Sequence, residues 1–177
     1  MSDTHAPKRR RLTVFRASDS GEVSDDMMPR EGIDDTVLSA LGQLETANVN
    51  VGVGEKTRLL FKEPGENGMS LLYAWFKSGY VLPFHSHSTD CLYYVLAGEL
   101  RMGSHVLHKG DGLFIPGGHA YGYEAGPDGV ELLEFRNASR FNLKFTPGAE
   151  QRWDHMVQTY TNRASIWEEE TVPPSER

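Results

Sequence analysis

The sequence predicts an all-β domain, a sandwich or closed barrel of short strands, with one helix before it and one after it. Three observations lead there. Short runs rich in Leu, Tyr, Val and Phe follow one another from about residue 58 to residue 146, cut by glycine-bearing turns. The chain holds 18 Gly and 9 Pro, a turn-rich composition that favours strands over a helical bundle. Its 177 residues suit one domain with tails.

Residues 1–30 are rich in Ser, Asp, Arg and Pro with little apolar periodicity, and predict a flexible polar arm. Residues 31–57 are a short helix and lead-in: Asp34, Asp35 and Thr36 stand before Val37, Leu38, Leu41 and Leu44, the acidic cap and apolar spacing of an amphipathic helix. The barrel follows over 58–146. Strands are expected at 58–62, 70–77, 92–96, 99–102, 105–108, 112–115, 120–124 and 130–135, with a tight hairpin at Gly103-Ser104. Residues 147–177 are a helix and a solvated tail. Trp153, Met156, Val157 and Tyr160 recur at spacings of three and four over 149–160, and Trp153 and Trp167 are read as packing residues.

Composition narrows the function. The net charge of -7 argues against nucleic acid, whose phosphates ask for a basic face. The basic run at 8–11 (KRRR) reads as part of a solvated tail. The single cysteine, Cys91, rules out an intrachain disulfide and points to a reducing, cytoplasmic setting. No stretch approaches the ~20 apolar residues of a membrane span, and the first residues lack the apolar core of a secretory signal.

The chemistry concentrates between Gly79 and Tyr123. Gly79 is followed after five residues by His85-Ser86-His87, after three more by Cys91, and after six more by Gly98. Further on, Gly110, Pro116 and Gly118 precede Tyr121 and Ala125. Residues two apart on a strand share a face, so His85 and His87 can both enter the barrel and begin a site for Fe, Zn, Cu, Mn or Ni.

In these two stretches the sequence resembles the cupin superfamily. The resemblance implies a cupin-type jelly-roll β-barrel, a homodimer, and a metal held by a His-x-His pair, a Glu and a later His. Here Cys91 stands at the Glu position and Tyr121 at the later His position. Three readings stand open. Cys91 is a thiolate ligand; or His119 takes the fourth place in a three-histidine site; or the metal site has decayed to a pocket that binds a small molecule without metal.

The site residues expected are therefore His85, His87, His119 and Cys91 for the metal. Tyr93 and Tyr121 are expected to position the substrate, with a phenol serving as general acid or base if its pKa is lowered. Asp90 should point away from the site. Glu131 and Glu134 have opposite parity, so at most one faces in, where it would serve as a base or late ligand; the reading preferred for both is an exposed carboxylate, and His105 and His108 read as surface residues. The function expected is a metal-dependent enzyme acting on a small organic molecule. Oxygen-dependent cleavage of the dioxygenase type at Fe(II) comes first, and lyase or isomerase chemistry next. The competing class is a non-catalytic small-molecule-binding or sensing module. No membrane or nucleic-acid partner is expected.

Overall fold

The structure, a computed structural model, describes residues 11–65 and 68–177. In chain order its elements are β1 (Arg30–Glu31), α1 (Asp35–Thr46), β2 (Glu55–Lys62), β3 (Ser70–Phe76), β4 (His85–Ser86), β5 (Cys91–Met102), β6 (His105–His108), β7 (Gly112–Ile115), β8 (Glu124–Arg136), β9 (Leu143–Phe145) and α2 (Glu150–Glu169). Residues 8–10 of the basic run lie outside the described residues.

The strands form two sheets. The larger has the order β2-β3-β8-β5-β6, with β7 sharing the free edge of β5, and the smaller has the order β1-β9-β4. Isolated bridges at Val81–Glu124 and His85–Tyr121 carry the chain between them. The jelly roll is the expected one, but the ladder around it is not continuous, so the barrel is not closed by hydrogen bonds.

Two expected strands, 92–96 and 99–102, are one strand bent at Gly98, where the register against β8 shifts. Gly98 has φ +76°. A Cβ there would stand 2.1 Å from the Gly129 carbonyl oxygen, so the crossing requires glycine. The expected strand at 120–124 is instead mostly loop, held to β4 by the Tyr121 bridge.

Both helices form where the apolar spacing put them. Asp34 caps α1 by accepting the Val37 N–H at 3.0 Å. Helix α2 runs beyond residue 160 because Trp167, seven residues after Tyr160, continues the same buried face. Its ring meets Tyr80 and Tyr160, and its Nε1–H donates to the Ser78 carbonyl at 2.8 Å. Val37, Ala40 and Leu44 of α1 join Trp153 and Met156 of α2 in the main core. Among the described residues, no helix is long and apolar enough to cross a membrane.

The arm expected over 1–30 is held down from Gly21 onward. Gly21 and Leu59 exchange backbone hydrogen bonds at 3.3 and 2.8 Å, Met27 is buried with Leu72 and Phe141, and β1 runs parallel to β9. The polar composition hid this anchoring because it depends on backbone pairing and on three scattered apolar residues, Val23, Met27 and Met28.

Candidate functional site

The site is assembled from strands of both sheets. His85 opens β4, and His87 follows two residues later on the same inward side; both are buried. Their ring centroids are 5.0 Å apart. Each Nδ1 faces a backbone carbonyl, that of Pro83 at 2.9 Å for His85 and that of Asn142 for His87. A carbonyl can only accept, so Nδ1 carries the proton and Nε2 presents a lone pair. Burial pushes the His85 pKa down to about 4 and the His87 pKa down to about 3, with the Arg136 charge adding to both. Two neutral imidazoles with fixed tautomers are the ligating form of histidine.

Tyr121 is buried at the end of the loop after Pro116-Gly117-Gly118. It exchanges backbone hydrogen bonds with His85 at 2.9 Å in each direction. Its ring lies 4.5 Å from the His85 ring, centroid to centroid. Its hydroxyl shares a 2.6 Å hydrogen bond with that of Tyr93, which rises from the inward face of β5. Burial raises the pKa of both phenols. They are therefore donors near neutral pH, and the expectation of a phenol with a lowered pKa does not hold. Tyr123, stacked beside Tyr121, is also buried, and its hydroxyl has no partner among the described residues.

Cys91 is buried two residues before Tyr93, on the inward side as parity required. Burial pushes its thiol up to about 12, so it is a protonated thiol and not a free thiolate. His119 is not brought to the pair: its side chain is exposed. Alternation from Tyr121 would have turned it inward, but residues 116–120 form a turn in which strand parity does not apply. Among the described residues, no group of three or more His, Cys, Asp or Glu is placed to hold a metal ion. The donor set thus fits two positions of a metal site, filled by His85 and His87, and supplies no third from those residue types.

Asp90 points away, as expected, and accepts the Gly117 N–H at 2.8 Å, which fixes the turn before Tyr121. His105 and His108 are exposed. Glu131 and Glu134 of β8 both depart from the exposed reading. Glu131 is buried on the outer side, where it accepts from Tyr73 Oη at 2.6 Å and from the Ser175 N–H at 2.6 Å. Glu134 is buried on the inner side, where it accepts from Arg136 Nη1 at 2.7 Å.

Arg136 is the interior residue that sequence reasoning missed. It is 2% exposed, its guanidinium carbon lies 4.1 Å from the Phe141 ring centroid, and Phe141 in turn meets His87 edge-on. Burial opposes its charge, but Glu134 outweighs that and holds it protonated. The signal was present in the alternation of β8: Val130 and Leu132 set the inward parity, and Glu134 and Arg136 continue it. Open clefts lie elsewhere, one of about 370 Å³ between α1 and α2 and one of about 550 Å³ on the outer side of the large sheet. Neither is lined by these side chains.

No family model and no curated protein matches the chain. Among solved structures it is similar to KdgF from Halomonas sp., with 21% identity over 51% of this chain and 85% of that one and a TM-score of 0.45. It is similar to an RmlC-like cupin from Shewanella frigidimarina, with 25% identity over 51% and 81% and a TM-score of 0.43. It is also similar to the polyketide cyclase RemF from Streptomyces resistomycificus, with 19% identity over 63% and 84% and a TM-score of 0.49. By its own strand order, with the His85–His87 pair turned inward, the chain has the cupin-type jelly-roll fold.

Proposed function

We propose that the interior around His85, His87 and Tyr121 is the reaction centre of a metal-dependent enzyme acting on a small organic molecule. One observation carries this reading: both imidazoles are buried side by side, with Nδ1 tied to a carbonyl and Nε2 left as a lone pair. His85 and His87 would hold one divalent transition metal, Fe(II) first, with Zn, Cu, Mn or Ni as alternatives. Cys91 joins them only if the metal displaces its thiol proton, and His119 has no part in it. When bound, the metal supplies Lewis-acid polarisation or a place for O2, and the two-histidine set leaves coordination positions open to substrate. Tyr93 and Tyr121 act as a pair of hydroxyl donors that orient a substrate oxygen. Oxygen-dependent cleavage is the first reaction to assay, and lyase or isomerase chemistry the next. The single buried thiol suits a reducing, cytoplasmic setting.

A homodimer goes with this reading. Leu92, Tyr94, Phe114 and Phe135 are exposed on the outer side of the large sheet, where Leu92 lies opposite both Phe114 and Phe135. A contiguous apolar surface of this kind suits burial by a second copy.

Among the described residues no third ligand of the His, Cys, Asp or Glu type joins the pair, which favours a second reading, a small-molecule-binding module without metal. Metal content by mass spectrometry, on protein purified without chelators, separates the two. About one metal per chain is expected, falling to near zero in His85→Ala while the fold, followed by circular dichroism, is retained. Full occupancy in that variant would show the assignment of the site to be wrong. No metal, even after reconstitution with iron, zinc, copper, manganese and nickel, would establish the metal-free module.

A further inference from the structure

The interior holds one feature that neither histidine explains. Arg136 is a guanidinium placed inside the protein on the inward face of β8. Among the described residues, its only protein hydrogen bond is from Nη1 to Glu134 Oε2. Its Nε is buried and has no partner. A buried charge is tolerated when its hydrogen bonds are satisfied, and an unpaired buried donor is costly. Glu134 occupies one corner of the fork, and among the described residues no protein acceptor meets the Nε–Nη2 edge. That edge is the one that grips a carboxylate with two parallel hydrogen bonds. The guanidinium carbon lies over the Phe141 ring, 4.1 Å from its centroid, and the same ring makes a T-shaped contact with His87. Cys91 lies directly across from Arg136 on β5, and Tyr93 across from Glu134. The guanidinium therefore shares its surroundings with the residues of the proposed site. A second buried donor without a partner, Tyr123 Oη, stands beside Tyr121 in the same interior.

We propose that Arg136 is the substrate-anchoring residue of this site, and that the substrate is a small organic carboxylate. The proposal rests on the reading of the His85–His87 interior as the reaction centre. A carboxylate is favoured over a phosphate by charge. One guanidinium edge matches one carboxylate, whereas a dianionic phosphate would add a second negative charge next to Glu134.

The test is calorimetric titration of wild-type protein, both as purified and after chelator treatment, with propionate, succinate, propionamide and methyl phosphate. The metal content of each sample is measured alongside. Propionate and succinate are expected to bind at least tenfold more tightly than propionamide and methyl phosphate, with or without metal. In the paired variant Glu134→Gln/Arg136→Met, which removes both charges together, the carboxylate preference is expected to fall at least tenfold, and Arg136→Lys should retain part of it. Equal binding of propionate and propionamide by the wild type would overturn the proposal, even if the variants fail to fold. So would carboxylate binding that needs the metal and is unchanged in the paired variant, or tighter binding of methyl phosphate. The two readings fail separately. Protein without metal that still binds propionate through Arg136 removes the metal centre and keeps this inference. One metal per chain with no carboxylate preference does the reverse.

Discussion

The inward faces of β5 and β8 are built in two halves that belong to one strand pair and differ in character. In one half Val95 lies opposite Leu132, and both are fully buried among apolar neighbours. Two residues along, Tyr93 lies opposite Glu134, and two further Cys91 lies opposite Arg136. The first half is uniform and satisfied. The second holds an ion pair, a protonated thiol, a hydroxyl pair and buried donors without partners. A strand pair gains nothing in stability from changing character in mid-course, so the polar half is where function is to be sought. The apolar half, together with the two helices, is what keeps the polar half in place.

The largest effect should come from the half that carries no chemistry. Leu132 is completely buried, and Leu132→Ala is expected to cost about 2–5 kcal/mol through lost burial and the cavity left behind. Urea unfolding would read this as a lower midpoint with an unchanged slope. A loss under about 1 kcal/mol would mean that the apolar half is loosely packed, and the contrast between the halves would fail.

The polar half should instead show itself through pH. His85 and His87 have pKa values depressed to about 4 and about 3. A depressed pKa contributes stability that is fully present above the unfolded value of about 6.5 and is lost as pH falls towards the folded value. Between pH 7.5 and pH 5 each histidine should therefore remove about 2 kcal/mol of stability. Burial also raises the pKa of the Glu55 carboxyl, but Glu55 is common to both proteins, so the decisive comparison is the slope over pH 5 to 7.5 in wild type and in His85→Gln/His87→Gln. The double variant is expected to lose most of the slope. An unchanged slope would mean that the imidazoles are not buried as neutral rings.

The same contrast explains how much was legible beforehand. The inward direction of His85 and His87 followed from alternation, and Cys91 and Tyr93 followed from the same rule as the first and third residues of β5. Alternation failed at His119 because the Pro116-Gly117-Gly118 turn breaks the strand, so a residue two before an inward tyrosine ends in solvent. It was available but unused at Arg136. The expected strand at 130–135 stops one residue short of Arg136, which continues the inward series Val130, Leu132, Glu134. The burial of Glu131 was not readable from its strand at all, because Tyr73 and Ser175 supply its partners from distant parts of the chain. Helix α1 was readable because its cap and its apolar face are local.

The smallest effect expected is also the one that bears most directly on what the polar half is for. Tyr123 is 2% exposed, and its hydroxyl has no hydrogen-bond partner among the described residues. If the interior were only a packed core, this hydroxyl would be a plain cost. Tyr123→Phe would then be neutral or stabilising by up to about 1 kcal/mol, with no effect on anything bound. If the interior takes a polar ligand, the variant keeps that neutral or slightly improved urea midpoint and weakens carboxylate binding several-fold. The second outcome is the one expected. Measured together, the urea midpoint and propionate affinity of Tyr123→Phe separate a flaw in packing from a donor held in readiness. A loss of stability above about 1 kcal/mol would show instead that the hydroxyl has a partner within the fold and belongs with the satisfied half.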